Sequence, residues 1–186
     1  MGFKAAMVIA IAGAGLVSAC SADRESIARL ERALGSDPSA TRALEHWCAA
    51  RGLAANPVVT ARVLAEAPPP EPDGLRQRLA AGPEAVLGYR HVELVCGGRV
   101  LSVAHNWYRR DHLSAAMNAV LDGSDAPFGK VVAPLRFTRE TIDSRHGGEP
   151  GCPHGTVLSQ VALLRLPDGA PLALVTECYT RAAIQR

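Results

Sequence analysis

Apolar and polar positions change period along this chain, and the change divides it into a helical beginning and a strand-rich remainder. Ile27, Leu30 and Leu34 recur at helical spacing among charged residues, and Gly35-Ser36-Asp37-Pro38 stops that pattern. A second helix is predicted from Ser39 to about Arg51, with Leu44, Trp47 and Cys48 on one stripe and Gly52 ending it. From Val58 to Glu66 the pattern turns β-like. Ala67-Pro68-Pro69-Pro70-Glu71-Pro72-Asp73-Gly74 then makes a stiff, extended loop that no sheet interior accepts.

The strands follow. Tyr89 to Cys96 alternates, with Arg90, Val92, Leu94 and Cys96 on one side and His91, Glu93 and Val95 on the other. Gly97-Gly98 is the two-residue turn of a hairpin, and Arg99 to Tyr108 returns. A short helix is predicted over Leu113 to Leu121 and an irregular loop over Gly123 to Gly129. Strands are expected at Val131 to Phe137, Val157 to Leu166 and Pro171 to Tyr179, the last two joined by the tight turn Pro167-Asp168-Gly169. Helices followed by an antiparallel meander make an α+β domain with a single antiparallel sheet flanked by helices, not a parallel βαβ array.

Two charges interrupt this pattern. Arg90 points where Val92 and Leu94 point, so it is either buried and paired or faces an enclosed polar pocket. Glu177 stands alone in the apolar strand Leu172 to Tyr179, where a carboxylate is costly unless protonated, paired or bound to a ligand. A buried Arg90 to Glu177 ion pair and a ligand pocket both satisfy these demands. A guanidinium is well shaped to hold a carboxylate through two parallel hydrogen bonds.

Composition adds a compartment. The chain has 186 residues and a formal net charge of +2, with arginines scattered and not clustered, so nothing points to nucleic acid. Lys4 precedes the apolar stretch Ala5 to Leu16, which is too short to span a bilayer, and Val17-Ser18-Ala19-Cys20 closes it. This segment resembles a bacterial lipoprotein signal. The likeness implies a leader over residues 1–19, a lipidated Cys20 and a single domain over 20–186 held to a membrane by its acyl chains. Ser21 in place of an aspartate resembles sorting to the outer membrane, facing the periplasm. Cys48, Cys96, Cys152 and Cys178 then suit two disulfides, with three connectivities open.

Three segments carry a resemblance that covers roughly Ser39 to Tyr179. Leu87-Gly88-Tyr89-Arg90, Ala126-Pro127-Phe128-Gly129 and Pro171 to Glu177 follow the order and spacing of the chorismate pyruvate-lyases, which share one antiparallel sheet flanked by helices. The hairpin glycine at Gly98 and Leu113 fit the same pattern. Ala126 and Phe128 depart from the family's usual Thr-Pro-Leu-Gly turn, and Ala40 stands where members commonly carry methionine. The resemblance implies that Arg90 holds a ring carboxylate with help from the backbone amides of Phe128 and Ala40. Glu177 would face the ring oxygen from which the enolpyruvyl group leaves. It implies no metal or organic cofactor, because such an enzyme mainly orients its substrate and stabilises developing charge.

The loop Arg145 to Gly155 holds His146, Glu149, Cys152 and His154, but their spacing matches no zinc pattern, and a disulfide-tied loop suits its glycines and prolines. His46, His91, His105 and His112 are isolated, and no nucleophile motif accompanies them. Three readings stay open. One is a lyase releasing pyruvate and a hydroxybenzoate, and another is an envelope lipoprotein, monomeric, that binds a small aromatic carboxylate. The third is a structural envelope protein.

Overall fold

The computed structural model describes residues 14–185, with side chains from Ala22 onward. Of the leader expected over residues 1–19, residues 1–13 lie outside the described residues, as does the side chain of Cys20.

Local chemistry sets the helical start. Helix α1, Ala14–Leu34, buries Ile27, Leu30 and Leu34, the stripe its spacing predicts. Helix α2, Ala40–Arg51, begins where Ser39 caps it by accepting from the Arg42 amide. It ends at Gly52, whose φ of 60° lets its amide reach the carbonyls of Ala49 and Cys48. Beyond α2 lie strand β1, Val59–Val63, and then α3, Leu75–Arg78, a single turn that periodicity is too short to reveal.

The hairpin of β2, Leu87–Cys96, and β3, Arg99–Arg109, turns on Gly97 and Gly98, both at positive φ. Next come α4, Ala115–Gly123, and α5, Phe128–Val131. Strands β4, Thr138–His146, β5, Leu158–Arg165, and β6, Pro171–Tyr179, precede the short α6, Arg181–Ile184. All six strands join one antiparallel sheet in the order β1-β2-β3-β6-β5-β4. No helix of the described residues is long and apolar enough to cross a membrane.

One expected element is corrected. Val131 to Phe137 is not a strand: α5 ends there and a 3-10 turn follows over Ala133–Leu135. Pro134 has no N–H for a ladder, and Arg136, in the left-handed region at φ 53°, closes the turn. The strand comes next, as β4. Its polar run Thr-Arg-Glu-Thr-Ile-Asp-Ser-Arg-His lies at the sheet's edge and is mostly exposed, so it carries no apolar alternation to announce it.

The sheet divides the core in two. On one face α1, α2 and α6 cover Val92, Leu94, Cys96, Ala104, Leu158 and Tyr179, while α4 and α5 cover Tyr108, Ala162, Ala173 and Val175. On the other, a smaller cluster packs Leu75 and Leu79 over Trp107, Leu163 and Leu174. Each face also carries one disulfide. Cys48–Cys96 ties α2 to the end of β2, and Cys152–Cys178 ties the β4–β5 loop to β6.

Candidate functional site

Alternation along the strands decides which side chains meet beneath the helices. Val92 and Leu94 of β2, Ala104 and Asn106 of β3, and Val175 and Glu177 of β6 share the helix-covered face. Above them α2 begins at Ser39-Ala40-Thr41 and α5 at Phe128-Gly129. A Cβ on Gly129 would lie 2.6 Å from the Ser39 Oγ, so only glycine lets these two helix starts approach so closely. Between floor and roof is a cavity of about 30 Å³ lined by Ala40, Phe128 and Glu177 together. Space of that size holds roughly one or two water molecules.

The polar chemistry of the cavity centres on Glu177, which is 5% exposed. Its Oε2 accepts from the Arg139 guanidinium at 2.5 Å and from the Tyr179 hydroxyl at 2.9 Å. Its Oε1 has no hydrogen-bond partner among the described residues, and neither has the Asn106 amide. Burial lowers the Arg139 pKa, but the electrostatic attraction of Glu177 and Tyr179 and the hydrogen bond to Glu177 together outweigh it and hold the guanidinium above its ordinary value. Tyr179 is driven well above the usual tyrosine range by burial and by the Glu177 charge. It remains a phenol and donates. Gln160, opposite Glu177 on β5, accepts from the same Arg139 nitrogen at 3.3 Å.

Arg90 has a different place. It is buried and points with Val92 and Leu94, as its strand position requires, yet its guanidinium donates to the carbonyls of Ser124 and Ala126, both at 2.7 Å. It does not line the cavity and does not pair with Glu177, whose cation is Arg139. The guanidinium lines a neighbouring polar cleft with Tyr108 and the ion pair of Arg110 and Asp122. Burial lowers the Arg90 pKa.

Arg139 is the residue that sequence reasoning misses. It sits on β4, opposite Leu164, and a polar edge strand gives little sign of itself. The available signal is β-branched Thr138, Thr141 and Ile142 following a turn at Pro134. In the β4–β5 loop, Cys152 is committed to a disulfide, and among the described residues no group of three or more His, Cys, Asp or Glu is placed to hold a metal ion.

No family model matches the chain. The uncharacterized protein y4mC of Sinorhizobium fredii is 36% identical over 165 residues, spanning 78% of this chain and 69% of that one. This chain belongs to the y4mC family. Among solved structures, the effector domain of PhnF from Mycobacterium smegmatis superposes on this y4mC-family chain with a TM-score of 0.54 at 12% identity, over 77% of this chain and 89% of that domain. A second structure of PhnF also gives 0.54 at 11% identity, over 79% of this chain, which spans 65% of that chain. The chain spans 59% of Bacillus subtilis YydK, which is 16% identical over 68% of this chain with a TM-score of 0.49. PhnF has the chorismate lyase/UTRA-like fold, and the y4mC-family chain has that fold.

Proposed function

We propose that this y4mC-family protein is an envelope lipoprotein that binds a small aromatic carboxylate in the cavity beneath α2 and α5. The observation that carries the reading is the Glu177 carboxylate, fixed at Oε2 by Arg139 and Tyr179 while Oε1 has no partner among the described residues. A buried ion pair adds little stability by itself, so one that lines a cavity is best explained by what it presents there. Oε1 would accept from a ligand hydroxyl. At the other end of the cavity, the first amides of α2 at Ala40 and Thr41 and the positive end of its dipole would take the carboxylate.

The space of about 30 Å³ is far below the roughly 300 Å³ that ligand sites usually need. Binding therefore requires the roof to move. If Arg90 also takes part, a ligand carboxylate must replace the carbonyls of Ser124 and Ala126 on its guanidinium, which would release the loop leading into Phe128.

Lyase chemistry on an enolpyruvyl ring is the second reading, and Arg139 favours it, since a buried cation can stabilise charge developing on an ether oxygen. Binding is preferred because Glu177, paired with Arg139, acts as an acceptor and suits a hydroxyl better than a developing anion. The lipid anchor at Cys20, the monomeric state and a position facing the periplasm belong to the same proposal. Two disulfides support it, since such bonds persist in oxidising compartments.

The test uses the full chain in detergent micelles. Calorimetry with 4-hydroxybenzoate is expected to show binding that Glu177→Gln weakens about tenfold or more. Chorismate is added in parallel while the ultraviolet spectrum of hydroxybenzoate is followed. Product lost in the Glu177→Gln variant would establish the lyase instead, and no heat with no product would sink both readings.

A further inference from the structure

The sheet face away from α2 carries a groove of about 510 Å³ that the site above leaves unused. Tyr89, His105, Trp107, Leu174 and Thr176 form its floor, on neighbouring strands β2, β3 and β6. One wall is the proline segment Pro69, Pro70 and Pro72. The other is Pro150-Gly151, next to Cys152, whose disulfide to Cys178 fastens that loop to the sheet. Proline rings on one side and a covalent tie on the other limit the freedom lost when something binds.

The floor is made of rings. Tyr89 and Trp107 lie 4.5 Å apart between centroids, and Tyr89 shares a 2.7 Å hydrogen bond with Nδ1 of His105. Trp107 is 8% exposed, and its indole N–H has no hydrogen-bond partner among the described residues, although it is not sealed from solvent. Buried indole N–H groups usually find a partner. The Thr176 hydroxyl also has none among the described residues. The charges around the groove, Glu66, Asp73 and Arg78, are exposed, and Glu66 is engaged by His91 at 3.1 Å. Burial and the neighbouring His91 lower the His105 pKa, which favours the neutral ring. A charged group on this floor would lose water, and the charges that line the groove, Glu66, Asp73 and Arg78, stand at its exposed rim.

We propose that this groove is a second binding site, for a neutral, flat ring compound with a carbonyl-type acceptor that stacks on Tyr89 and Trp107 and receives the Trp107 indole N–H. Its volume lies within the range of about 300–1,000 Å³ usual for small-molecule sites.

The two tryptophans make the test internally controlled. Trp47 lies on the helix-covered face, where its indole donates to the Ala183 carbonyl at 2.8 Å. In the full chain labelled with ¹⁵N-tryptophan, titration with coumarin, a neutral bicyclic lactone, is expected to move the Trp107 indole resonance and leave that of Trp47 in place. A dissociation constant on the order of 1 mM or tighter is expected. Thr176→Phe, which fills the floor, should weaken the effect about tenfold or more while the Trp47 resonance reports an intact fold. The proposal fails if neither resonance moves, if both move together, or if the Trp107 shift survives Thr176→Phe. It also fails if anionic 4-hydroxybenzoate moves Trp107 as strongly as coumarin, because the groove would then not select neutral rings.

Discussion

The two faces of the sheet grow from the same alternating strands but use polar groups in opposite ways. On the helix-covered face, one residue of β6 places Glu177 in the core, where Arg139, Tyr179 and Gln160 surround it. On the outer face, the preceding residue places Thr176 beside His105 and Trp107, where the rings are neutral and charge stays at the rim. The first face encloses a charge pair over a space of about 30 Å³, and the second leaves an open groove of about 510 Å³. A fold that changes environment by one residue along a strand can keep two chemistries within a few ångströms of backbone.

The largest way to break this contrast is to unbalance the enclosed pair. Glu177→Leu leaves Arg139 buried without its anion and should cost about 3–5 kcal/mol in urea unfolding. The double variant Glu177→Leu with Arg139→Leu is expected to recover most of that loss. If the double variant is as unstable as the single one, the pair is not the source of the effect.

Next in size are the disulfides, which close 48 and 26 residues of chain and contribute about 4 and 3.5 kcal/mol in the chain-entropy picture. The sharper difference is access. Cys48 and Cys96 are both fully buried, whereas Cys152 is partly exposed. Mild dithiothreitol followed by alkylation and mass spectrometry should find Cys152 and Cys178 modified first. Equal modification of all four would mean that both faces open together.

The smallest effect is in pH. His105 has its pKa lowered by burial and by His91, so the unfolded chain binds the proton more readily. Its neutral state is therefore stabilising above about pH 6.5, and stability should fall as pH drops below that value. Melting curves at stepped pH should show a shallower fall in His105→Gln than in the wild type. An unchanged slope would remove His105 from the account.

Much of this arrangement is legible in the order of residues alone. Alternation in β2 sets the direction of Arg90, and β6 is delimited to the residue because Pro171 opens it and its side chains are nearly all apolar. The capped helix from Ser39 also follows from local chemistry. Strand β4 does not, because an edge strand facing solvent needs no apolar face. Arg139 is lost with it. That loss leaves Glu177 without its true cation and makes Arg90 look like the natural partner. The groove is hidden for another reason: His105, Trp107 and Thr176 gain meaning only once the proline segment and the disulfide-tied loop are folded over them.

The four cysteines that follow Cys20 pair in the order in which they occur, Cys48 with Cys96 and Cys152 with Cys178. With Cys20 acylated as proposed, an oxidant that joins the remaining thiols as they emerge from the N-terminal side would make the native pattern directly. Neither bond has to be broken for the other to form, so maturation of this domain should proceed at the pace of oxidation and have no need of a disulfide isomerase.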